Sequence, residues 1–227
     1  MPAWTSRRIS EGRGMTHDGT ATMSLKDRLA QPVNQTLRRI PSWPLYIVGA
    51  IPPVWLFVAG LTGGLGVDPV KAMEHQMGEW ALWLIIASLC VTPARRYLGI
   101  NLIKFRRAIG LLAFFYVLFH FLIWLVLDVQ IVSQILADIA KRPYVTVGFA
   151  AFLLLIPLAA TSNNWSVRKL GPGWRKLHQM VYAAAILGAL HFIMLVKGFQ
   201  LEPYIYMAAI LGLLALRLPD WLKRRRR

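Results

Sequence analysis

Six long apolar stretches, each bounded by polar or basic residues, leave this chain few ways to fold. A helix needs roughly 17 to 25 mainly apolar residues to cross the hydrocarbon core of a bilayer, since each residue advances it about 1.5 Å. The stretches run approximately over Pro44–Leu61, Trp80–Thr92, Phe105–Leu127, Tyr144–Ala160, Trp174–Val196 and Pro203–Leu218. The second reaches spanning length only if it starts near Met77. Pro52-Pro53 is expected to kink the first, because a proline ring removes a helix hydrogen bond. In lipid a spanning segment must satisfy its own backbone polar groups, which makes these segments helices. An all-α, polytopic six-helix membrane bundle, with the lipid bilayer as its solvent, is the fold they predict. Composition agrees, with 56% hydrophobic residues and only 16% charged ones, against about 25% charged in soluble proteins.

The charges choose a side. Of the 26 Lys and Arg residues, 22 fall before the first stretch, between the second and third, between the fourth and fifth, or at the C-terminal end. Lys71, Lys141, Arg142 and Lys197 are the remainder. Cytoplasmic loops carry the excess of Lys and Arg, so both termini are expected in the cytoplasm, which an even number of spans requires. The net charge of +16 is thereby explained without nucleic acid, which is not expected as a partner. Residues 1–40, polar and with Met15 and Met23 as alternative starts, are expected to be a flexible cytoplasmic tail. Arg7-Arg8 lacks the apolar region that a twin-arginine signal requires. The transmembrane domain is expected over 41–220, and 221–227 is a basic end suited to anionic lipid. Cys90 is the sole cysteine, so a disulfide within the chain is impossible.

Two histidines lie deep in the third and fifth stretches. Counting from the cytoplasmic edge, His120 is 15 residues beyond Phe105 and His191 is 17 beyond Trp174, depths of about 22 and 25 Å. Ionisable side chains inside a membrane are costly and mark functional sites by default. Neutral imidazoles from two facing helices can bind an iron from both sides while an apolar interior keeps water from a porphyrin. His120 and His191 are therefore the expected axial ligands of one haem, and the alternative is a pair of interhelical hydrogen bonds.

His178 is 13 residues before His191, which on an ideal helix turns it to another face. A second bis-histidine haem would need a partner near positions 106 and 107, which are both arginine. His178 is thus left as a propionate or flavin contact, an alternative ligand, or a snorkelling surface residue. His75, in Glu74-His75-Gln76, is expected in an outer interfacial loop, solvated or facing a quinone headgroup. His17 lies in the tail. Arg95, Arg96, Arg106 and Arg107 serve topology first, though guanidinium forks also suit a flavin phosphate.

Val91-Thr-Pro-Ala-Arg-Arg-Tyr-Leu-Gly99 leading to His120, and Leu170-Gly-Pro-Gly-Trp-Arg-Lys-Leu-His178 followed by Val181-Tyr182 and Ala189-Leu-His191, resemble the MsrQ family over about residues 40–220. That family belongs to the ferric reductase-like transmembrane superfamily. The resemblance implies a subunit of the bacterial inner membrane that binds haem b and FMN. It implies electrons taken from the membrane quinone pool and delivered to a periplasmic molybdopterin-dependent reductase, MsrP, that repairs methionine sulfoxide in proteins. It also implies cofactor-binding roles for His120, His178 and His191. Superfamily relatives with two haems carry two histidines on the third span, where this chain has only His120. No G-x-G-x-x-G fingerprint occurs, so the expected donor is a quinol or another protein rather than a nicotinamide cofactor. The alternatives are a stand-alone metalloreductase acting on metal chelates, and a non-redox transporter or scaffold.

Overall fold

A computed structural model describes residues 25–217 of the chain, and among them there are helices and no strands. Ten α-helices follow in order: α1 (Leu25–Arg39), α2 (Pro44–Leu61), α3 (Pro69–Pro93), α4 (Arg106–Leu122), α5 (Val132–Lys141), α6 (Pro143–Ala160), α7 (Asn164–Leu170), α8 (Pro172–Leu177), α9 (Met180–Leu195) and α10 (Leu201–Ala215). Five segments are long and apolar enough to cross a membrane: Pro44–Leu61, Pro69–Leu98, Ile103–Val129, Pro143–Ala160 and Pro172–Leu195. The sixth apolar helix, α10, has 15 residues, about 22 Å at the usual rise.

Three expectations need correction. The second span is far longer than Trp80–Thr92, because Asp68 and Pro69 start it early. The Asp68 carboxylate accepts from the Lys71 N–H as an N-cap, and Pro69 occupies the first turn, where its missing donor costs nothing. His75 is consequently a helical residue rather than a loop one. The fifth span stands close to its expected place, at Pro172–Leu195, with a turn inside it. A turn at His178-Gln179 joins α8 to α9, and the chain keeps helix-type bonding there through His178 N–H to Trp174 O at 3.0 Å. Within the expected tail, residues 25–39 form α1. Asn34 ties α1 to the α3–α4 connection, donating to Gly99 O at 2.9 Å and accepting from Asn101 N–H at 2.8 Å. Lys104 donates to Arg38 O and Ile40 O from the same connection. Residues 1–24, with His17, and 218–227, with the basic end, lie outside the described residues.

The helix α2 runs on through Pro52 and Pro53 and presents Ile47, Val48, Ile51, Val54, Trp55 and Val58 outward, an apolar face suited to lipid. Inside, α3, α4, α6 and α9 pack as a ring, with α10 against α9 and α3, and α2 against α3 and α4. In lipid the hydrophobic effect does not drive helices together, so close packing of small residues matters most. Ala113, Ala185 and Ala189 are fully or almost fully buried beside Ile85, Leu89 and Ile210. That close approach brings the histidine-bearing faces of α4 and α9 toward each other.

Candidate functional site

The ring of four helices encloses a cavity of about 350 Å³, within the usual range for ligand sites of about 300 to 1,000 Å³. His120 from α4 and His191 from α9 both face it, their ring centres 6.1 Å apart and their planes at 74°. Much of the wall is apolar and aromatic, with Val117, Phe121, Phe149, Phe152 and Leu155 among its residues. Phe121 and Phe152 stack at 4.9 Å, which stiffens the α4–α6 side.

The outer nitrogen of each imidazole is already engaged. His120 Nδ1 lies 2.8 Å from Glu74 O on α3, and His191 Nδ1 lies 2.7 Å from Tyr144 O on α6. A carbonyl oxygen only accepts, so Nδ1 carries the proton in both rings and Nε2 keeps its lone pair. With a metal–imidazole bond of about 2 Å, two rings on opposite sides of one metal stand roughly 6 Å centre to centre. The pair, at 6.1 Å, meets that spacing. Among the described residues no group of three or more His, Cys, Asp or Glu side chains converges on a metal position. A bare zinc ion seeks about four ligands, whereas an iron already held in a porphyrin asks the protein for axial ligands only.

One end of the cavity is polar. Lys71 pairs with Asp128 at 2.6 Å and with Glu74 at 3.5 Å, and Arg142 pairs with Asp138 at 3.1 Å and reaches the Tyr144 hydroxyl at 3.3 Å. Exposed ion pairs add little stability, but these put two cations beside the mouth. On the α10 side Trp83 donates to the Tyr206 hydroxyl, which donates to Glu79 at 3.0 Å. Gln76 adds a bond to the same carboxylate at 3.3 Å, so an intramembrane acid is satisfied within the bundle. His75 lines the same cavity and meets Phe192 edge-on at 5.6 Å.

His178 does not join the pair. It stacks on Trp174 at 3.9 Å, and its Nε2 lies 3.0 Å from the Thr161 hydroxyl, away from the cavity wall. Arg95 lines a separate concavity of about 610 Å³ with Arg38, Lys104, Asn34 and Asn101, between α1 and the α3–α4 connection. Sequence reasoning missed Lys71, Asp128 and Arg142 at the mouth, and missed Gly78 and Gly148, on which the two rings rest.

The family model described as a ferric reductase like transmembrane component matches residues 77–189, a span that includes His120 and His178. A protein-methionine-sulfoxide reductase heme-binding subunit MsrQ from Brucella anthropi is 51% identical over 177 residues, covering 78% of this chain and 80% of that protein. The proteins of the same name from Brucella ovis and Brucella melitensis match with the same identity and coverage. No solved structure matches the chain.

Proposed function

The chain belongs to the MsrQ family, within the ferric reductase-like transmembrane proteins, and from that premise we propose that it is a membrane cytochrome b subunit that relays electrons to a periplasmic methionine sulfoxide reductase. The observation that carries this reading is the pair His120 and His191, each with Nδ1 turned to a carbonyl and ring centres 6.1 Å apart. Both Nε2 lone pairs would then be available to hold the iron of haem b. When bound, the haem supplies one-electron chemistry, and the protein supplies ligands, burial and orientation. The apolar wall from Phe121 to Phe152 suits the macrocycle, and Lys71, Arg142 and the Tyr144 hydroxyl suit its carboxylates at the polar mouth.

The same reading takes a quinol of the membrane pool as donor and an MsrP-type molybdopterin enzyme as acceptor. It places the protein in the bacterial inner membrane with the arginine-rich loops inside. FMN is its second cofactor. The cleft lined by Arg38, Arg95 and Lys104 offers cationic donors to a flavin phosphate.

Reduced-minus-oxidised spectra of the protein purified in mild detergent test the reading, with acid extraction of the same sample for flavin. A low-spin haem b signal is expected in the wild type and its loss in both His120→Ala and His191→Ala. A colourless wild type, or an unchanged signal in both variants, would overturn the assignment.

A further inference from the structure

The two imidazoles are held by one device used twice. His120 reaches Glu74 O across 46 residues of sequence and His191 reaches Tyr144 O across 47. One turn after each carbonyl, on the same helix, stands a glycine, Gly78 on α3 and Gly148 on α6. A Cβ at Gly78 would lie 3.1 Å from His120 Nδ1, and a Cβ at Gly148 would lie 2.7 Å from His191 Nδ1. Each ring therefore lies close against the backbone of the neighbouring helix, where a Cβ at Gly148 would clash and one at Gly78 would force a shift of a few tenths of an ångström. The pairs α3–α4 and α6–α9 form two such clamps, one on each side of the cavity.

We propose that Gly78 and Gly148 are positioning residues that set the donor strength and the orientation of the two axial imidazoles, and through them the midpoint potential of the centre. This rests on the haem reading above. A ligating histidine that donates its other N–H becomes a more basic ligand with a fixed ring plane. A methyl at Gly148 displaces the ring from its carbonyl, and one at Gly78 shifts its ring by a smaller amount. The imidazole then donates less to the iron. Ferric iron gains more than ferrous iron from a strong donor, so the oxidised state loses more stability and the potential rises.

The full-length haem-loaded protein tests this by redox titration and ferric EPR of Gly78→Ala, Gly148→Ala and the control Gly110→Ala, whose Cβ would meet nothing within 4 Å. Expected are a higher potential in the first two variants and loss of the strong low-spin anisotropy that near-perpendicular rings produce, with the control unchanged. A second measurement does not depend on tolerance of the glycine variants. His191→Gly is reconstituted with imidazole or with N-methylimidazole, which has no N–H for Tyr144 O. Imidazole is expected to bind at least about 10-fold more tightly, the usual scale for loss of such a support, and to restore the wild-type potential. Equal behaviour of the two imidazoles, or wild-type potential and EPR in both glycine variants, overturns the proposal while leaving the haem reading intact. A wild type without haem overturns both, and is seen before any substitution is made.

Discussion

At Nδ1 of His120 and of His191 the partner is a backbone carbonyl, while His178 spends Nε2 on the Thr161 hydroxyl, and this separates their roles. Nδ1 anchoring leaves Nε2 directed at the cavity, whereas His178 is held by Thr161 and stacked on Trp174. His178→Ala is accordingly expected to keep the low-spin signal at wild-type intensity, measured in the same spectra that lose it for His120→Ala and His191→Ala. Loss of the whole signal in His178→Ala would show instead that His178 holds the iron. The histidines were legible in the sequence because an ionisable group in a run such as Phe114–Leu125 stands out on energetic grounds. Their supports were not. Every residue has a carbonyl, so nothing marks Glu74 or Tyr144 as the acceptor, and a glycine such as Gly148 in an apolar helix has many ordinary uses.

Among the elements, α3 shows best how a hydropathy reading goes astray. Its first half carries Lys71, Glu74, His75 and Glu79, which lower the mean hydropathy and hid three turns of helix. These groups are tolerated because they line the cavity or bond one another, as Lys71 does with Asp128 and Glu79 with Tyr206. The start signal was nevertheless present, as aspartate followed by proline. The first, third and fourth spans fall within two residues of their apolar stretches. Removing the N-cap with Asp68→Ala is expected to cost about 1 kcal/mol. The loss should appear as lower thermal stability in detergent and faster amide exchange at Lys71, whose N–H the Asp68 carboxylate holds. Unchanged exchange at Lys71 would show that the cap does not secure this end, one turn before the Glu74 carbonyl.

For the molecule as a whole, the distribution of charge makes a geometric statement. The connections near Gly99–Asn101 and Thr161–Asn163 are expected on one side of the membrane, and those near Thr62–Val67 and Lys197–Phe199 on the other. Alkaline phosphatase fused at each position is expected to be active at the second pair only, and activity at Gly99 would reverse the assignment. Six apolar helices could be counted from the sequence, but their arrangement as a ring of α3, α4, α6 and α9 with α2 and α10 outside could not, because lipid-facing and buried leucines look alike in a hydropathy profile. The ring, closed by stacked aromatics and by two imidazoles each pinned to a neighbouring helix, has little room to relax. A group held between these two rings would find its ligands fixed in advance, so little movement of the protein would accompany a gain or loss of charge there.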